Sequence, residues 1–172
     1  DARTGEKLDG RGGFRGDVRS SVCYDRATDA YYATSKGGDF IRIKLSSDKR
    51  RIAESKTLAL QNGNEKSIAM STSTPVVYNG RAYVGVSGAA QFGDGGHNLS
   101  VIDLKSKKVA YTVPTNGYPQ TSGLLTTAYG DCNYIYFFEN MQPGTLRLLR
   151  DQPEQTAVDT TYQTKETAVS YT

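Results

Sequence analysis

The single histidine of the chain, His97, sits in Gly93-Asp94-Gly95-Gly96-His97-Asn98. A carboxylate, an imidazole and an amide so close together could ligate a cation, which makes Asp94, His97 and Asn98 the candidate metal residues and Ca²⁺ the ion to consider. A calcium site takes ~6 to 8 oxygens at regular spacing, and this stretch supplies few. A glycine-rich hairpin loop is the simpler use of it. One histidine excludes the common His-based zinc sites and leaves His97 as the only base available to a Ser-His-Asp set. Gly93, Gly95 and Gly96 join strand to strand without opening a helix, so they do not read as a phosphate cradle. Asn98-Leu99-Ser100 has the form of a glycosylation sequon.

Carboxylate chemistry on a polysaccharide would require Asp39, Asp94 and Glu139 to converge in one pocket. Glu139-Asn140-Met141-Gln142-Pro143-Gly144 joins two apolar stretches and reads as an ordinary connection with no convergent partner. Tyr31, Tyr32, Tyr83, Tyr118, Tyr134 and Tyr136 could stack on carbohydrate, but their alternation within strands favours packing between sheets. Cys23 lies in an apolar strand position matching Val77, and Cys132 in a turn one repeat beyond the adjacent unit, so both are expected as free thiols. That usage suits an exported protein that does not depend on disulfides.

The elements that must position these residues come from an internal repeat. One unit carries Val22-Cys23-Tyr24, Tyr31-Tyr32-Ala33-Thr34 and Phe40 to Leu45; the next carries Pro75 to Tyr78, Ala82 to Val86 and Leu99 to Leu104; the third carries Leu124 to Tyr129, Tyr134 to Phe138 and Leu146 to Leu149. Taking Tyr24, Tyr78 and Tyr129 as equivalent marks, the spacings are 54 and 51 residues. That is a little long for a four-stranded propeller blade and is explained by loops. Asn79-Gly80 is the strongest hairpin signal, because a type I′ turn needs positive φ at both central residues. Helical periodicity is confined to a brief stretch at 65–70. With 12 Tyr, 18 Gly and no Trp, the composition favours pleated sheets and tight turns.

Ser73-Thr74-Pro75-Val76-Val77-Tyr78-Asn79-Gly80-Arg81-Ala82-Tyr83-Val84-Gly85, with Val101-Ile102-Asp103-Leu104, resembles the PQQ-like β-propeller repeat. Asp1-Ala2-Arg3-Thr4-Gly5-Glu6 resembles that family's turn motif, and Tyr118 through Gly144 is similar to repeats in large surface proteins of Gram-positive bacteria. In quinone-dependent members, the resemblance implies a Trp eight residues beyond the motif Asp, packed on the neighbouring blade. Here those positions hold Asp9 and Tyr111, so the Trp docking is absent. Such enzymes also stack their quinone on an adjacent Cys-Cys pair, whereas Cys23 and Cys132 are far apart, so PQQ is not expected.

The expected fold is all-β, a partial propeller of about three four-stranded antiparallel blades filling 1–172 as one domain. Residues 1–17 end a preceding blade, 18–66, 67–117 and 118–157 form blades, and 158–172 form an outer strand or linker. The opening at Asp1 suggests a fragment or mature piece of something longer. Three blades leave two apolar faces uncovered, which a homo-dimer or missing sequence would cover. The net charge of +3 comes from 21 basic and 18 acidic residues spread along the chain. No basic stripe tracks nucleic acid, and Lys49-Arg50-Arg51 reads as a solvated hairpin tip. No apolar run approaches the ~20 residues of a membrane span. The leading function is a non-catalytic binding or scaffold module of a secreted or cell-surface bacterial protein, presenting rim loops to protein or glycan. An enzyme domain is the alternative, and a periplasmic-type assembly scaffold that holds a peptide on a strand edge is the third.

Overall fold

This computed structural model describes residues 1–10, 13–60, 69–88 and 96–159, and the backbone of 167–169. The helical stretch expected at 65–70 falls mostly outside them, as do Gly93, Asp94 and Gly95. The described residues contain strands and turns and no helix. Twelve strands form three antiparallel four-stranded sheets, each running straight through its strands in chain order. Sheet 1 holds β1 (Cys23–Asp25), β2 (Ala30–Thr34), β3 (Asp39–Leu45) and β4 (Ile52–Ala59). Sheet 2 holds β5 (Val76–Tyr78), β6 (Arg81–Val86), β7 (Asn98–Asp103) and β8 (Lys108–Pro114). Sheet 3 holds β9 (Leu124–Thr126), β10 (Asn133–Glu139), β11 (Gly144–Asp151) and β12 (Thr167–Val169).

Turn chemistry sets the hairpins. Asn79 and Gly80 both have positive φ, 47° and 76°, as the tight β5–β6 turn requires. Asp1 accepts from the Arg3 N–H through its carboxylate and from the Gly5 N–H through its carbonyl, and Gly5 has φ 72°. Asp103 builds a related turn, taking the Ser106 N–H at 2.6 Å, with Lys107 in the left-handed region at φ 59°. Lys49-Arg50-Arg51 sits at the β3–β4 hairpin tip, where Lys49 pairs with Asp29 across to the β1–β2 turn.

The first hairpins close at Asp25↔Ala30, Tyr78↔Arg81 and Thr126↔Tyr134. This register corrects two alignments. Tyr129 lies past the end of β9, and Cys23 matches Val76 instead of Val77, because the three hairpin loops differ in length. Two residues beyond each closing pair stand Tyr32, Tyr83 and Tyr136. Phe40, Leu99 and Leu146 are equally equivalent, each opposite the residue two past that tyrosine.

The sheets stack face to face in chain order. Tyr32, Phe40, Ala82, Val84, Val86 and Ile102 form the core between sheets 1 and 2. Tyr83, Val101, Tyr111, Ile135, Phe137 and Leu149 form the core between sheets 2 and 3. Covered on both sides, β6 is buried at every residue and loses the in-out alternation that the outer strand β4 keeps. Each fully buried Val, Ile or Tyr-sized side chain contributes about 1.5–3 kcal/mol to this stacking.

Two connecting segments ride over glycines of the preceding sheet. A Cβ on Gly38 would run into the Ala69 carbonyl, and one on Gly85 into the Pro119 carbonyl. The same segments then pair with the following sheet, through Met70↔Ser87 and Tyr118↔Asn140. Near the innermost strands, Thr34 Oγ1 donates to the Ser73 carbonyl at 2.7 Å and Ser73 Oγ to the Thr121 carbonyl at 3.1 Å. These bonds tie the three sheets in series.

Candidate functional site

His97 is buried at the end of sheet 2. Its Nδ1 accepts the Gly88 N–H at 3.3 Å, and its ring stacks on Tyr118 with centroids 6.2 Å apart. An accepting Nδ1 is unprotonated, so this atom is occupied by backbone. Asn98 begins β7, takes the Ser100 hydroxyl at 2.7 Å on Oδ1 and donates from Nδ2 to the Gly96 carbonyl. Both side chains therefore serve the sheet, while Asp94 lies outside the described residues. Among the described residues no three His, Cys, Asp or Glu side chains group closely enough to hold a metal.

Of the carboxylates considered for catalysis, Asp39 and Glu139 lie in different sheets and do not converge. Asp39 in sheet 1 takes three donors from Arg15: the backbone N–H at 3.0 Å, Nε at 3.0 Å and Nη2 at 2.6 Å. Glu139 in sheet 3 takes Arg147 Nη1 at 2.8 Å, and that guanidinium also lies over the Phe137 ring. Sheet 2 stands between them, and each is closed by its own arginine. Cys23 and Cys132 are both free. Cys132 is buried, but Cys23 is only half-buried, because β1 is a short strand whose neighbours Val22 and Tyr24 are solvent-exposed.

A buried polar cluster joins sheets 2 and 3. Asp151, fully buried at the end of β11, accepts from Tyr83 Oη at 2.7 Å and from Tyr111 Oη at 2.5 Å. Asn133 Nδ2 donates to Tyr83 Oη at 2.7 Å. Arg81 lies beside it, its Nε 3.7 Å from Asp151 and its Nη1 3.8 Å from Asp103, while Nη2 donates to the carbonyls of Gln152, Pro153 and Gln155. Burial first, and then Asp151 through its charge and its hydrogen bonds, raises the Tyr83 and Tyr111 phenols far above the ordinary tyrosine range. Phenols held protonated in a closed site can donate hydrogen bonds and do nothing to a substrate that cannot enter. This cluster is a lock between sheets.

Tyr111 is the residue eight beyond Asp103, the docking position named above. No indole stands there, and Tyr111 instead reaches the next sheet through its hydroxyl, which donates to Asp151. Asp9, eight beyond Asp1, makes the corresponding reach with its carboxylate, which takes the Ile52 N–H of β4 at 2.7 Å. Three four-stranded meanders stacked face to face in series decide the architecture. The sheets are stacked as the blades of a β-propeller are.

Blades 1 and 2 each bury their equivalent tyrosine under the next blade, with Tyr32 at 1% and Tyr83 at 2% exposure. Among the described residues blade 3 has no such cover: Tyr136, Leu146 and Leu148 are half-buried, and Leu124, Phe138 and Tyr129 are 69%, 47% and 70% exposed. Tyr129 and Tyr134 meet edge to face at 5.8 Å beside this surface.

No family model matches the sequence, and no curated protein matches it. Among solved structures it is similar to the quinohemoprotein alcohol dehydrogenase ADHIIG from Pseudomonas putida HK5, at 14% identity and a TM-score of 0.49, over 76% of this chain. It is also similar to BamB from Moraxella catarrhalis, at 14% identity and a TM-score of 0.48, over 84% of this chain. The match spans 24% of the first structure and 37% of the second. At this identity the likeness concerns the course of the chain alone.

Proposed function

We propose that this chain is a non-catalytic scaffold module of a secreted or cell-surface bacterial protein. It joins a further blade face through the open face of blade 3 and leaves its rim loops to protein or glycan. The observation that carries this reading is the change in burial along one equivalent position. Tyr32 and Tyr83 are covered, and Tyr136 is not. The side chains around Tyr136 match in chemistry those that seat a blade elsewhere in the chain, and exposed apolar surface of this kind marks an interaction site. The occupant that fits is another blade face, and a second copy of the chain supplies one in solution. The closure of Asp39, Glu139 and Asp151 by internal donors supports a role without catalysis.

Light scattering over a range of concentrations tests this directly. The chain is expected to associate, and Phe138→Asp with Leu124→Glu, both at exposed positions, should return it to monomer without unfolding it. A folded monomer at every concentration, unaffected by these changes, would overturn the reading.

A further inference from the structure

At the docking position, blade 1 departs from blade 2. Lys56 stands opposite Arg42, and Arg42 opposite Tyr32, as Tyr111 stands opposite Val101, and Val101 opposite Tyr83. Lys56 is therefore the equivalent of Tyr111, and the aromatic that locks blade 2 on blade 3 is missing between blades 1 and 2. A cleft of about 90 Å³ lies there, with Phe40, Leu58, Ile102 and Leu104 as its apolar lining. Phe40 and Ile102 are core residues, so the cleft reaches into the packed interface.

Its charged lining is basic. Arg42, Lys56 and Lys107 line it and no carboxylate does. Glu54 pairs with both Arg42 and Lys56, at 3.5 Å from the latter, so one carboxylate answers two cations. Lys107 is exposed on the β7–β8 turn, in the left-handed region at φ 59°, and lines the mouth of the cleft.

We infer that this inter-blade cleft binds a small organic acid: an aromatic or short branched apolar body with one carboxylate, the body between Phe40 and Ile102 and the carboxylate among Lys107, Lys56 and Arg42. Size and charge both select this occupant. An apolar cavity of about 150 Å³ holds a benzene ring, and an open cleft of 90 Å³ holds most of one with its acidic substituent at the mouth. A neutral ligand leaves the cations unanswered, and a cationic one is repelled. The site lies away from the open face of blade 3, so it stands or falls independently of the association proposed above.

Benzoate is the probe, titrated against the intact chain by NMR, with benzylamine as the size-matched cation. Benzoate should shift the Ile102 and Leu58 methyl signals saturably, with a Kd on the order of a millimolar or tighter, and benzylamine should bind at least about tenfold more weakly, a difference of about 1.4 kcal/mol. Lys107→Gly removes one cation while relaxing the backbone and should weaken benzoate several-fold. Lys56→Tyr restores the docking aromatic and should abolish binding in a chain that is folded and no less stable. Non-saturating shifts, equal response to benzylamine, or full binding by Lys56→Tyr would each overturn the site.

Discussion

The two inter-blade interfaces answer the same geometric problem with different chemistry. Between blades 1 and 2 the contact is apolar, with Tyr32 stacked on Phe40 and its hydroxyl turned back to Thr28 of its own blade at 3.0 Å. Between blades 2 and 3 an apolar core of similar make-up is joined by Asp151, whose two oxygens are taken by Tyr83 and Tyr111 of the facing blade. Apolar burial resists separation but tolerates sliding and gaps. A buried carboxylate with two fixed donors tolerates neither, because each lost bond leaves a desolvated group. The first interface accordingly contains a cleft where the second contains a ring.

The largest break in this comparison is Asp151→Ala. It leaves two buried hydroxyls without their acceptor and the buried Arg81 guanidinium with only the more distant Asp103 as counter-charge, and should cost about 3–5 kcal/mol in urea unfolding. Alkaline pH should act on the same interface next. In the unfolded chain Tyr83 and Tyr111 lose their protons near the ordinary tyrosine value of about 10, whereas the folded chain holds them to far higher pH. Their contribution is therefore complete below about pH 10 and declines as pH rises beyond it. Melting temperature should fall steeply above that point, and less steeply in Tyr83→Phe/Tyr111→Phe. The smallest effect belongs to the first interface. Tyr32→Phe removes only a hydroxyl bonded within its own blade and should cost less than about 1 kcal/mol. A cost for Tyr32→Phe equal to that of Asp151→Ala would erase the distinction between the two interfaces.

Much of the architecture was legible in the residues. Tyrosine-bearing second strands, Asn79-Gly80 and the Asp-led turns are local signals, written within a few positions of where they act. The eight-residue step from Asp103 singled out Tyr111 as a smaller aromatic where a Trp would dock, but the reach of its hydroxyl to Asp151 on the next sheet was not legible. Asp151 and Arg81 left no such trace. Tyr83 is 68 residues from Asp151 and Tyr111 is 40, and Arg81 reaches carbonyls 71 to 74 residues away. A single carboxylate at the end of an apolar strand looks like any strand terminus until the facing blade is in place. The carboxylates that did attract attention, Asp39 and Glu139, were visible without the arginines that close them.

The glycines under the connecting segments carry a consequence for how the chain comes together in time. Residue 69 seats on Gly38 and residue 119 on Gly85, so each blade offers, in its finished form, the landing place for the segment that starts the next. A ribosome delivers the N-terminal portion first, and every seat is thus made before its occupant emerges. Assembly can advance blade by blade, with the polar groups of blade 2 that face blade 3 completed last, and a side chain introduced at Gly85 would halt it after the second step.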